Sequence, residues 1–443
     1  MYEISLAWQG IRKTPLLSSM IVGAIGLGIG VFMILLTAYH VLERDPLPQK
    51  SERVFRVMVD SWGPNDTYGG GFWGSDTPPH MMTYTDAMNL MASDIPTHQA
   101  AMFATTMYLA PTDPSHPVQR PFQVRVRATF RGFFPMFDTP FLYGNHWDQA
   151  ADTGPEPVVV LSRETNEKIF GGANSIGETV ALDGNLFRVV GVLDTWAPMP
   201  LFYNFLTLGV GVSPPEDVFI PFHFLEQYQL QNYGADMNWK SAEPGFDNWL
   251  QSESVWLQYW AQLDTAAQKQ RYLDFLDQYA LSQRELGRFE RPLNNRVYNV
   301  REWITAFTVP LRGPSLAFLV LGFLYLTVCL VNLVSMLLGK FMGRMQEIAL
   351  RRALGATRQA VFRQHIAEVA LLGIGGGLLG LGLSQLVLQT IAHRFELADN
   401  LFTLDGYLLF SALMLALLSG TAAGLVPAWR ACSTPPVTYL KSL

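Results

Sequence analysis

The residues with most chemistry to offer form a short charged helix, MQEIALRRAL at Met345–Leu354. Glu347 and Arg351 stand four apart, so on a helix they pair in the favourable order. Met345, Ile348, Ala349 and Ala353 fall on one arc, with Arg352 intruding on it. Gly355 suits a helix stop, and Thr357 suits the cap of the next helix. Such an element anchors to anionic lipid or docks to a partner; it does not catalyse. Reactive groups are thin elsewhere. The chain has 8 His and 2 Cys. His80, His98, His116 and His146 stand singly, and neither His-Glu-x-x-His nor Cys-x-x-Cys occurs. No Gly-x-Ser-x-Gly elbow is present. Gly339–Lys340 is followed by Phe341 rather than Ser or Thr, so there is no P-loop. We therefore expect no enzyme and no cofactor or metal bound by these residues. A net charge of −6 argues against nucleic acid.

The elements that position this helix are apolar and long. Of 443 residues, 49% are hydrophobic and only 15% charged. The charge deficit is concentrated in four stretches, 16–42, 314–338, 367–391 and 407–429. As helices of about 23–27 residues they reach roughly 35–41 Å, enough for a hydrocarbon core. No Asp, Glu, Lys or Arg lies at their centres, which argues against an ion-coupled carrier. Arg12 and Lys13 precede the first stretch. Lys340, Arg344, Arg351, Arg352, Arg358 and Arg363 fill 339–366, and Arg430 and Lys441 follow the fourth. The 392–406 connection carries Glu396, Asp399 and Asp405 against Arg394. Positive residues stay on the cytoplasmic side, so both termini (1–15 and 430–443) and the basic loop are expected there. Residues 43–313 are then outside. The first stretch lacks a small-x-small cleavage site and reads as an anchor helix. Cys329 and Cys432 both lie beyond 43–313, so the outer segment folds without disulfides, as bacterial periplasmic domains do.

The outer segment reads as α+β. Strands are expected at 157–162 (PVVVLS), 178–182 and 186–193, the last two joined at Asp183–Gly184–Asn185. A helix from Arg163 to Gly171 takes Ser162 as its cap. Another begins near Thr83–Thr85, and one from about Thr265 presents Tyr272, Phe275, Leu276 and Tyr279 on one face. Further strands are ERVFRVMVD and SVWLQYWAQL. The expected architecture is small sheets covered by helices on one side. Ser61–His80, Trp196–Pro221 and Asn232–Trp249 are loops rich in aromatics, Gly and Pro. They either pack their own rings or display them to a ligand, a partner or the membrane surface.

Within the third apolar stretch, Gly373, Gly376, Gly377 and Gly380 form small-xxx-small pairs that let helices approach closely. Packing within the chain and a sliding dimer interface are both open. Asn332, a polar residue in the second stretch, is expected to face other helices as hydrogen-bonding glue.

Several stretches resemble one family. EIALRRALGATRQAVFRQHIAEVALLGIGGGLLGLGLS is similar to the signature of the MacB/FtsX-like (type VII) permeases of ABC transporters. VVVLSRETNEKIFGGANSIGETVALDGNLFRVVGVL resembles their periplasmic core domain. LAWQGIRKTPLLSSMIVGAIGLGIGV and PAWRACSTPPVTYLKSL resemble the two ends. The resemblance implies an α-helical membrane protein with four transmembrane helices and a large α+β periplasmic domain between helices 1 and 2. It implies that Glu347, Ile348, Leu350, Arg351, Ala353, Leu354, Gly355 and Ala356 form the helix that couples to the ATPase. ATP and Mg would be bound by a separate ABC ATPase subunit in two copies. A second permease, identical or paralogous, would complete the assembly in the inner membrane. The implied activity is mechanotransmission for efflux or extraction, within membrane lipid, with a periplasmic adaptor and outer-membrane channel as further partners. The alternative is a signalling or scaffold subunit that controls a periplasmic partner such as a cell-wall hydrolase. The aromatic loops have no counterpart in the resemblance.

Overall fold

The computed structural model describes residues 2–43, 45–71, 74, 76–112, 120–154, 156–204, 215–394 and 406–433. Most of the 392–406 connection, the 434–443 tail and part of each of two aromatic loops lie outside these. The chain divides into two compact units, residues 44–310 and the remainder.

The 44–310 unit is built on a single ten-stranded sheet. Its strands are β1 (Val54–Met58), β2 (His98–Pro111), β3 (Phe122–Thr129), β4 (Phe141–Gly144), β5 (Val158–Leu161), β6 (Thr179–Leu182), β7 (Asn185–Leu193), β8 (Val218–Pro221), β9 (Gln258–Gln262) and β10 (Arg296–Asn299). The order is β10-β1-β9-β2-β3-β8-β5-β7-β4, and β6 pairs with both β2 and β7. The path β2-β3-β8-β5-β7-β6 therefore closes on itself as a six-stranded ring, which removes edges from those strands. Only β3–β8 and β5–β7 run parallel. This corrects the expectation of several small sheets covered on one side.

Alternate residues of each strand enter different cores. Ala101, Phe103, Val124, Val126, Val159, Leu161, Val189 and Ile220 join one cluster. Ala100, Met102, Val158, Val160, Phe219 and Trp260 join another on the opposite face. Burial on both faces explains why PVVVLS shows no polar alternation. The local punctuation follows side-chain chemistry. Ser162 caps Arg163–Phe170 by accepting from Thr165 N, and Gly171 closes that helix at φ 64°. Thr83 and Thr265 cap Tyr84–Met91 and Ala266–Glu285 in the same way. Asp183 and Gly184 turn the β6–β7 hairpin with φ 46° and 83°, while Asn185 already pairs with Leu182.

The other unit is helical. A lead helix, Tyr2–Lys13, precedes Pro15–Glu43; Val300–Met342, Arg358–Arg394 and Gly406–Ser433 are the other long helices. Among the described residues four helices are long and apolar enough to cross a membrane, at Pro15–His40, Leu316–Met342, Arg358–Arg394 and Leu409–Ser433. We call these spans one to four. A short loop helix, Met345–Ala353, links spans two and three.

Candidate functional site

The loop helix sits on a network of charges. Met345, Ile348 and Ala349 are buried in the bundle core. Ala353, expected on the same arc, is exposed instead, because the turn ends there. Leu354 caps the helix, and Gly355 reverses the chain at φ 103°. Ala356 N donates to Arg351 O at 3.0 Å, the bond expected of a glycine-closed end. Thr357 Oγ1 then accepts from Ala360 N at 3.2 Å and caps span three.

Glu347 and Arg351 do pair, Arg351 Nη2 donating to Glu347 Oε1 at 2.8 Å. The same carboxylate accepts from Lys13 Nζ at 3.0 Å, which ties the loop helix to the lead helix. Arg351 Nη1 also reaches Gln364 Oε1 at 3.1 Å, and Arg352 Nη1 reaches Cys432 O at 3.1 Å. Burial alone would raise the Glu347 carboxyl. The Lys13 hydrogen bond and the charges of Arg344, Lys13 and Arg351 outweigh it and hold the group below its usual range.

Deeper in the unit lies a feature the sequence did not single out. Glu368 and Lys340 are fully buried and paired at 2.7 Å. Lys340 Nζ also donates to Ser18 Oγ at 2.8 Å, and Arg344 Nη1 lies 3.4 Å from Glu368 Oε2. His365 Nδ1 stands 3.8 Å from that same oxygen. Lys340 lies in Val300–Met342 and Glu368 in Arg358–Arg394, each next to a long apolar stretch. Their spacing, 28 residues apart, carries no local signal that they meet.

Of the residues named from the family resemblance, Ile348 is buried, and Glu347, Arg351 and Ala356 are half-buried. Leu350 is 54% exposed and Leu354 80% exposed, and Ala353 and Gly355 are exposed beside them. The set thus divides into residues that fix the helix to its own bundle and residues that face outward.

The glycines of span three serve packing within this chain. A Cβ at Gly376 would lie 2.5 Å from Ile25, and one at Gly380 would lie 2.8 Å from Gly26 O. On the adjacent face, a Cβ at Gly377 would lie 2.6 Å from Ala416 Cβ, and one at Gly373 3.1 Å from Ala416 O. Span three is therefore threaded between spans one and four. Within this chain Asn332 is exposed, on a span two that also exposes Phe323, Leu324, Val328 and Val331.

Many described aromatics of the loops in the other unit pack against one another. Trp62, Tyr68, Met81 and Val255 form a satellite core with Met237 and Trp239. A Cβ at Gly63 would lie 2.6 Å from Trp239, so that close approach requires glycine. Trp196 stacks on Tyr203 at 5.5 Å and Trp249 on Trp256 at 4.3 Å. Beneath them Arg127 and Glu216 are buried and paired. Gln258 accepts from Arg127 at 2.7 Å, Tyr203 donates to Glu216 at 2.9 Å, and Asn204 donates to it at 2.8 Å. A buried pair with its remaining lone pairs satisfied is the form in which such charges are tolerated.

Four membrane-length helices among the described residues, with a short basic helix between the second and third, and a large α/β unit describe a multi-pass membrane protein. The family comparisons agree. Residues 18–270 match the MacB-like periplasmic core domain, and residues 319–436 match the FtsX-like permease C-terminal domain. The chain belongs to the MacB/FtsX-like family of ABC permeases. It is similar to a pyoverdine export ATP-binding/permease protein, PvdT, of Pseudomonas fluorescens, with 25% identity over 70% of this chain and 41% of the relative. It is also similar to a macrolide export ATP-binding/permease protein, MacB, of Acinetobacter baylyi, with 22% identity over 71% of this chain and 42% of the relative. The chain thus spans about two fifths of the length of the curated relatives it matches. The periplasmic region of MacB from Actinobacillus actinomycetemcomitans aligns over 57% of this chain and 92% of its own, at 11% identity and a TM-score of 0.35.

Proposed function

We propose that this chain is the permease of an ABC export system, moving cargo from the periplasm or membrane at the expense of ATP hydrolysed by a partner ATPase. The loop helix Met345–Ala353 is the docking element, on the cytoplasmic face of the inner membrane with both termini. Residues 44–310 stand in the periplasm between spans one and two. Nucleotide-driven movement of the ATPase displaces the loop helix, the bundle shifts with it, and the periplasmic unit changes posture. Two permease copies, identical or paralogous, act with two ATPases.

The observation that carries this reading is the two-sidedness of the loop helix. Its inner arc, Met345, Ile348 and Ala349, is buried in the chain's own bundle, while Leu350 and Leu354 stand out from a basic loop. Apolar side chains projecting from a rigid, charged turn are what a docking groove recognises. The relatives, a pyoverdine export protein and a macrolide export protein, support export as the class of activity.

The test is co-purification of the cognate ABC ATPase with the full chain. Leu350→Asp with Leu354→Asp should abolish association while the melting temperature stays unchanged. Undiminished association of that variant would refute docking at this face. Replacing Glu347, Arg351 and Leu354 together should also uncouple ATP hydrolysis.

A further inference from the structure

The buried charges at Glu368 have no place in the docking face, yet four separate elements converge on them. Lys340 comes from the end of span two, Ser18 from the start of span one, and Arg344 from the head of the loop helix, while Glu368 itself belongs to span three. The lead helix roofs the cluster. At Gly10 a Cβ would lie 2.7 Å from Glu368 Oε2 and 2.8 Å from Arg344 Nη1, so a hydrogen is all that fits there. Lys13, one turn further along the same helix, holds Glu347 on the loop helix at 3.0 Å.

Bundles of this kind hold together well enough by apolar contact. A fully buried ion pair is not needed for that, since apolar replacements of such pairs are often neutral or stabilising. What a buried pair adds is intolerance of separation, because pulling one partner away leaves an uncompensated charge in a medium that cannot solvate it. Elements joined through such a pair move together or not at all.

We infer that Lys340, Glu368 and Arg344 form the joint that makes the loop helix, the lead helix and the loop-side ends of spans one to three a single moving body. They act as positioning residues and not as contacts of the ATPase. On this assignment the lead helix is a working part: Gly10 seats it on the joint and Lys13 locks it to the loop helix. The inference rests on the proposed function, since a joint matters only if the loop helix is driven.

The experiment uses the full chain assembled with its cognate ATPase in lipid nanodiscs. Hydrogen exchange over residues 44–310 is compared without nucleotide and with ATP plus vanadate. A flat response in the wild-type assembly would sink the functional reading, and with it the premise of the joint. With a responding wild type, Lys340→Met with Glu368→Leu should keep the melting temperature and the association with the ATPase. It should lose most of the exchange response, a reduction of about tenfold in the coupling between sites. Lys340→Arg with Glu368→Asp, which keeps both charges, should recover part of the response. Gly10→Val is the independent variant, because it pushes on the carboxylate without removing a charge, and it too should weaken the response. A full response in the Met/Leu double variant would overturn the proposal. Should that variant fail to fold, a full response in Gly10→Val would overturn it just as well.

Discussion

At the scale of single residues, burial decides which charges carry consequences. His80 lies in the 44–310 unit, edge-on to Tyr68 and Trp303 at 5.2 and 5.1 Å. Arg56, itself buried against Trp260 and Trp303, donates to the His80 carbonyl. Burial first, and then the charges of Arg56 and Arg296, push the His80 imidazole down to about 3. In the unfolded chain it titrates near 6.5. Between those values the unfolded state binds a proton that the folded state refuses, so stability rises with pH across the window. Its contribution is fully present above about pH 6.5 and is lost as pH falls toward 3, at up to about 1.4 kcal/mol per pH unit. Melting of the full chain from pH 7 to pH 4 should show this slope, and His80→Gln should flatten it. An unchanged slope in the variant would show that other groups set the acid sensitivity. The histidine was visible in the sequence as one of several scattered singly. Its enclosure was not, because the rings around it come from residues 68 and 303.

At the scale of elements, close approach sets the geometry of the bundle. Span three meets span one at Gly376 and Gly380, and span four at Gly373 and Gly377, with backbone nearly on backbone. The glycine run already announced tight packing, since only small residues allow such distances. It did not reveal that both faces are occupied within one chain, which depends on where spans one and four settle. Gly376→Ala places a methyl carbon 2.5 Å from Ile25 and 3.2 Å from Val22 O. We expect a loss of about 1–3 kcal/mol, seen as a lower melting temperature in detergent. Gly382→Ala in the same span, with nothing within 4 Å, should be silent and serves as the control. Equal effects at the two positions would show that helix propensity, and not packing, governs this span. The loop helix follows the same logic in reverse. Its caps and its Glu347–Arg351 pair are local and were legible, while the burial of Ile348 and the exposure of Ala353 depend on the bundle beneath.

At the scale of the whole molecule, each unit has its own source of order. In the 44–310 unit the ring β2-β3-β8-β5-β7-β6 leaves its members no free edge, whereas β10 and β4 end the sheet. Amides of β2, β3, β5 and β7 should therefore exchange through near-global unfolding, and those of β10 and β4 faster. Faster exchange in β3 or β5 than in β10 would contradict the closed ring. Among the described residues of the helical unit, the fully buried ion pair lies at the loop end, between Lys340 and Glu368. That position is why the inferred joint sits there and not among the glycines.

By itself the sequence determined what short-range physics determines. Spans follow from length and apolarity, the cap of one helix from Ser162 and the starts of two others near Thr83–Thr85 and Thr265, the hairpin from Asp183–Gly184, and the loop helix from its charges and Gly355. Family membership followed from motifs of the same local kind. The tertiary structure alone decided what depends on residues far apart meeting. It drew six of the ten strands into one ring through β2, whose Ala, Met and Thr carry no clean alternation because its central residues are buried on both faces. It packed Trp62, Tyr68 and Trp239 into one satellite core and left Asn332 exposed within this chain. It also brought Lys340 to Glu368, a pairing written nowhere in either segment, because it exists only where four elements pack around one carboxylate.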